Sequence, residues 1–165
     1  MSNKLLLLCT LMAMALFFSG CASSAPGDRG IQYPPTDKAV PVFQKNQIPD
    51  SCRVFAQLLV TLPAQYTGED FAEAVSKEAM AKGADMVLIG QSRQCTDSTE
   101  LTFTYYGLDR EYKVRDWPGW IFGMEEWEEQ GAWANIGYQE WGNSTVRYDY
   151  PIVMQMAFLR CQSDS

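Results

Sequence analysis

The stretch from Cys52 to Gln91 constrains the fold more than any other part of the chain. Within Cys52–Leu62 the apolar side chains of Val54, Ala56, Leu58, Val60 and Leu62 recur at every second position, while Arg53, Phe55, Gln57, Leu59 and Thr61 take the alternate ones. That period belongs to a strand with one well-buried face. Thr67 then stands where a helix cap belongs, with Asp70 three residues on, and Phe71, Ala74, Val75 and Ala79 form a stripe at helical spacing that stops at Gly83. The spacing predicts a helix over about Gly68 to Lys82. Ala84–Gln91 follows at once as a compact apolar run beside glycine, which marks an interior strand. A strand, a helix and an interior strand in this order make a β-α-β unit with a right-handed crossover.

Further along, Leu101–Tyr106 alternates again and reads as an antiparallel hairpin partner. Val146–Tyr150 and Ile152–Arg160 read as two more extended segments punctuated by Pro151. The expected fold class is therefore α+β: a mixed, mostly antiparallel sheet, one main helix in a β-α-β unit, and an aromatic-rich insertion before the last strands. A length of 165 residues, 47% of them hydrophobic, suits a single domain of this kind.

The N-terminal end is of another character. Lys4 precedes an apolar run from Leu5 to Phe18, and Ser19-Gly20-Cys21 follows. This is the layout of a secretory signal, and a run of 14 residues falls short of the roughly 20 that span a bilayer. Phe18-Ser19-Gly20-Cys21 resembles the lipobox of bacterial lipoproteins. The resemblance implies removal of residues 1–20, diacylglycerol on the Cys21 sulfur and an acylated Cys21 amine. Two or three chains then hold the protein on the membrane without a spanning helix. Ala22 in place of an aspartate after the lipidated cysteine implies the outer membrane of a diderm cell. Residues 21–50 carry Pro26, Pro34, Pro35, Pro41 and Pro49 and read as an extended tether. At about 3.1 Å per residue it would reach on the order of 90 Å. The alternative is that Val40, Val42, Phe43 and Ile48 dock on the domain, which is placed at residues 51–165. The order of elements over residues 52–95, with AKGADMVLIG at its centre, resembles small envelope domains of the RcsF-like and heavy-metal-binding-like class. That resemblance implies a fold and carries no catalytic motif.

Composition excludes much chemistry. The chain has no histidine, which removes Ser-His-Asp and Cys-His schemes and imidazole metal sites. A net charge of -7 argues against a nucleic-acid partner. Gly90-Gln-Ser92-Arg-Gln94 is one glycine short of a nucleophile elbow and has no base to serve it. The run Glu125–Glu129 does not match a calcium loop and reads as a solvated face. No enzyme activity, cofactor or metal is expected. With Cys9 in the signal and Cys21 lipidated, Cys52, Cys95 and Cys161 remain in an oxidising compartment. Cys52 opens the first strand and Cys161 closes the last, so antiparallel pairing of those strands predicts a Cys52–Cys161 disulfide. Cys95, at the far end of the second strand, has no CxxC partner and reads as an inert thiol.

The most unusual feature is aromatic. All five tryptophans, Trp117, Trp120, Trp127, Trp133 and Trp141, fall within 25 residues. Residues 97–150 also hold 11 acids against four cations. Glycines break the segment into pieces, with a short helix expected near Met124–Gln130 and a hairpin turning at Gly142-Asn143. Such a cluster serves either as a second apolar layer for a small domain or as a binding surface, with at least two tryptophans open to solvent. The expected function is a membrane-anchored, non-enzymatic structural or interaction module of the cell envelope with an unidentified protein partner. The alternative is a lipoprotein that binds glycan, peptidoglycan or polysaccharide, through the tryptophan-rich segment.

Overall fold

The computed structural model describes residues 31–96 and 98–162. The signal-like segment, Cys21 and Ala22 lie outside the described residues. In chain order the elements are β1 (Val40–Val42), a 3-10 turn (Lys45–Gln47), β2 (Cys52–Leu62), α1 (Gly68–Ala81), β3 (Met86–Gln94), β4 (Thr102–Tyr105), β5 (Tyr112–Lys113), α2 (Met124–Glu128), β6 (Trp133–Ala134) and β7 (Ile152–Cys161). The fold is α+β. Its seven strands form one mixed sheet in the order β1-β3-β7-β2-β4, with β5 paired to β2 and β6 to β3.

β7 runs antiparallel to both β2 and β3 and so separates the two parallel strands of the β-α-β unit. Its sequence explains the central place. Ile152–Leu159 is buried at every position, on both faces, and apart from Gln155 it is the apolar run that an interior strand needs. Short strands guard both edges: β1, with Pro41 inside it, and the two-residue β6 on the β3 side, and the four-residue β4 and two-residue β5 on the β2 side, so little ladder is offered to a second chain.

α1 begins where the sequence places it. The Asp70 N–H donates to the Thr67 hydroxyl at 3.1 Å, and the Thr67 N–H donates to the Asp70 carboxylate at 3.0 Å. The Thr67 hydroxyl, which donates to the Asp70 carboxylate at 2.7 Å, and then the Thr67 N–H hold the Asp70 carboxyl below its ordinary value. Gly83 ends the helix at φ 84°, and a Cβ there would lie 2.5 Å from the Cβ of Tyr33.

The sheet is covered on both faces. On one, Phe71, Val75 and Ala79 of α1 pack against Leu58, Val60, Val87, Met156 and Phe158. Each fully buried side chain of this size contributes about 1.5–3 kcal/mol. On the other, Trp117, Phe122 and Trp127 close over Leu59, Leu88, Val153, Ala157 and Leu159. Double coverage is why β2 buries Leu59 as well as its alternate set. A bulge between Val54 and Ala56 turns Phe55 and Ala56 to the helix side while Val54 packs on the other.

Several expectations need correction. Leu101–Tyr106 contributes β4, but its partner is β2, not the preceding strand; that edge of β2 is the one β7 leaves open. Val146–Tyr150 is not a strand; a single bridge joins Arg147 to Thr67, because β7 already occupies the place it would need. Gly142-Asn143 turns, with φ 73° at Gly142, yet no strands flank it. The Pro-rich stretch from residue 31 to 50 is laid along the domain rather than strung out as a tether. Val40–Val42 extends the sheet parallel to Met86–Leu88, and Tyr33 stands edge-on to Phe55 at 5.0 Å.

The Cys52–Cys161 disulfide joins directly paired residues of β2 and β7, as the strand order requires. Cys95 is bridged to neither.

Candidate binding surface

The five tryptophans do not form one surface; the sheet divides them. Trp117 is buried, and its indole N–H donates to Gln57 Oε1 at 3.0 Å. Trp120 meets Trp117 edge-on at 4.9 Å and lies over the backbone of β3 at Gly90. A Cβ at Gly90 would come within 2.9 Å of the Trp120 ring, so the missing side chain is what lets the indole seat there. Trp127, on α2, is also buried. These three rings are a roof for the second sheet face. Trp141 goes to the other face, 4.5 Å from Phe71 and 5.9 Å from Phe43.

Trp117 and Trp127 are therefore withdrawn as binding residues, because a ring exposed by only 4% has no face to offer a ligand. Trp120 and Trp141 are half-buried. Only Trp133 is open, at 62% exposure on β6. It is nevertheless held. The Arg93 guanidinium lies 5.1 Å from the Trp133 ring and 5.7 Å from that of Trp127. Arg93 Nε donates to the Gly131 carbonyl and Nη1 to the Trp127 carbonyl, both at 2.9 Å. A cation clamped by two carbonyls between two indoles gives Trp133 a rigid seat. Sequence reasoning passed over Arg93; its only signal was a charged residue near the end of an apolar strand.

The roof encloses polar groups as well. Gln155, in the middle of β7 and 1% exposed, donates through Nε2 to the Trp120 carbonyl at 3.4 Å and leaves Oε1 without a partner among the described residues. Tyr106 Oη is likewise buried, with the Glu126 carboxylate beside it. Burial, with that carboxylate, pushes the Tyr106 phenol up to about 12. Burial, then Glu140, does the same for Tyr148, also to about 12. Neither phenol acts as a base at neutral pH.

Other sequence candidates have structural roles here. Ser92 is buried and donates to the Ala134 carbonyl at 2.8 Å, tying β3 to β6. Glu125, Glu126, Glu128 and Glu129 of the α2 region are exposed, and among the described residues no group of three or more acids or cysteines is placed to hold a metal ion. No described helix is long and apolar enough to cross a membrane. Three well-formed clefts on the described surface are lined without a tryptophan. Compared with protein families, with curated proteins and with solved structures, the chain finds no match.

Proposed function

We propose that the chain is a bacterial lipoprotein, anchored by lipid at Cys21, whose domain is a non-enzymatic interaction module of the cell envelope that recognises a protein partner at Trp133. The lipobox-like Phe18-Ser19-Gly20-Cys21 supports the anchor. The observation that carries the recognition reading is the clamped, 62% exposed indole of Trp133. A large aromatic fixed before binding loses little conformational entropy when a partner covers it. Sugar binding calls for several open tryptophans ranged along a groove, and here the rings are divided between the two sheet faces with Trp133 alone among them exposed, so the protein partner is favoured over the glycan.

Crosslinking in intact cells tests this reading. Trp133→Ala should weaken the crosslinked partner's retention roughly 30-fold, the loss typical of an aromatic hot spot, and leave the melting temperature nearly unchanged. An unchanged crosslinking pattern would refute the site, and loss of binding to purified peptidoglycan in the same variant would transfer it to the glycan. Cys21→Ser should abolish labelling by a palmitate analogue; persistent labelling sinks the anchor.

A further inference from the structure

The end of the sheet that holds the Cys52–Cys161 bridge gathers several of this acidic chain's cations. An open groove of about 780 Å³ lies there. Lys45 and Asn46 come to it from the 3-10 turn, Lys113 and Arg115 from β5 and the residues after it, and Asp50 is the one acid that lines it. Arg115 contacts Asp116 at 3.6 Å, but with both side chains at least 60% exposed that pair offsets little of its charge.

The neighbouring ladder adds to the charge. Arg53 of β2 stands in register with Lys113 on one side and Arg160 on the other, and like charges directly opposite each other across strands are destabilising. Among the described residues Asp85, 3.5 Å from Arg160, answers one of the three, and Arg53 Nη1 donates to the Asp50 and Cys52 carbonyls. A row of this kind is eased when an external anion sits against it.

Ile31 and Gln32, the first described residues, line a small cleft together with Phe55, Ala56 and Gln57 of β2, a few residues along the strand from Cys52. Ten residues separate Ile31 from Cys21, a span of at most about 35 Å. If Cys21 carries lipid, the cationic end is therefore kept near the bilayer, and the long reach expected of the tether is lost because residues 31–50 are docked.

We propose that this groove seats the domain on an anionic lipid surface, with phosphate-bearing headgroups taken up among Lys45, Lys113 and Arg115. The orientation rests on the lipid-anchor reading; the chemistry of the groove does not. Each cation near such a surface contributes about fivefold to partitioning, so the three together are worth roughly a hundredfold. The attraction falls as salt rises.

The test uses the mature chain from residue 21 with Cys21→Ser, so that no acyl chain contributes. Its partitioning is measured on phosphatidylcholine vesicles with and without phosphatidylglycerol. Preferential, salt-sensitive binding to the anionic vesicles is expected, falling roughly a hundredfold in a Lys45→Ala, Lys113→Ala, Arg115→Ala variant. Because Lys45 also rests 5.1 Å from the Trp117 ring, the Lys113→Ala, Arg115→Ala pair is measured beside it and should lose roughly 25-fold, with tryptophan emission unchanged. No preference for anionic vesicles, binding indifferent to salt, or variants that bind like the parent would each overturn the proposal. Inorganic phosphate that binds the groove while vesicles do not would overturn the lipid source. Palmitate labelling of the unaltered cysteine reads the anchor separately: failure there with vesicle binding intact refutes the anchor and leaves the groove standing.

Discussion

Removing the Cys52–Cys161 bridge should lower the stability of the domain by about 3–5 kcal/mol, chiefly by freeing the unfolded chain. The bridged residues are 109 apart in sequence, and closing a loop of about 100 residues restricts the unfolded ensemble by about 4.7 kcal/mol at 25 °C. The folded state loses much less. Cys52 and Cys161 end a ladder that continues pair by pair to Leu62 and Ile152, so a Cys52→Ala, Cys161→Ala variant keeps both strand ends in register. With an unfolding entropy of about 2.1 cal/mol/K per residue over about 130 ordered residues, the melting temperature should fall by roughly 11–18 °C. Urea unfolding followed by tryptophan emission measures it, since Trp117 and Trp127 pass from 4% exposure into solvent. The denaturant slope should rise as the unfolded chain expands. Reducing the parent protein should reproduce both changes. A loss below about 1 kcal/mol with an unchanged slope would refute the reasoning, because the ends would then stay together without the bridge.

Phe158→Ala, at a position with 0% exposure in the central strand, should cost about 3–5 kcal/mol in urea unfolding; a loss near zero would mean that the helix side of the sheet is not the main core. Trp127→Ala should be comparably destabilising, about 3–5 kcal/mol, whereas Trp133→Ala should change stability by less than about 0.5 kcal/mol and remove most of the tryptophan signal reached by acrylamide; equal effects would contradict the division of roof from surface. Tyr106 and Tyr148, raised from 10.0 to about 12, ionise later folded than unfolded. Their stabilisation is therefore complete below about pH 10 and lost as pH rises through 12. The urea midpoint should fall across that window and fall less in Tyr106→Phe, while phenolate absorbance of the two groups near pH 10 in the folded protein would exclude the shifts.

Local patterns in the sequence determined the parts that depend on local physics. The alternation of Cys52–Leu62, the Thr67–Asp70 cap, the stripe from Phe71 to Ala79 and the run ending at Gln91 each specify their element through neighbours a few residues away. They yielded β2 and α1 nearly to the residue, and β3 shifted by two residues at its start and three at its end. The disulfide was legible because it needed only the first and last strands to pair. What the sequence left open were choices between distant partners. β7 lies between β2 and β3 because its apolar run alone can be covered on both faces, and that placement sends β4 to the outer edge of β2 and leaves Val146–Tyr150 with no strand to join. The tryptophan cluster announced that large rings need cover, but composition does not say which face of a sheet they cover. Tertiary packing sent Trp117, Trp120 and Trp127 over one face and Trp141 over the other, and left Trp133 outside on the Arg93 clamp. The groove of Lys45, Lys113 and Arg115 is the extreme case. Its cations are scattered along the chain among many acids, and only the register of the strands brings them to one end.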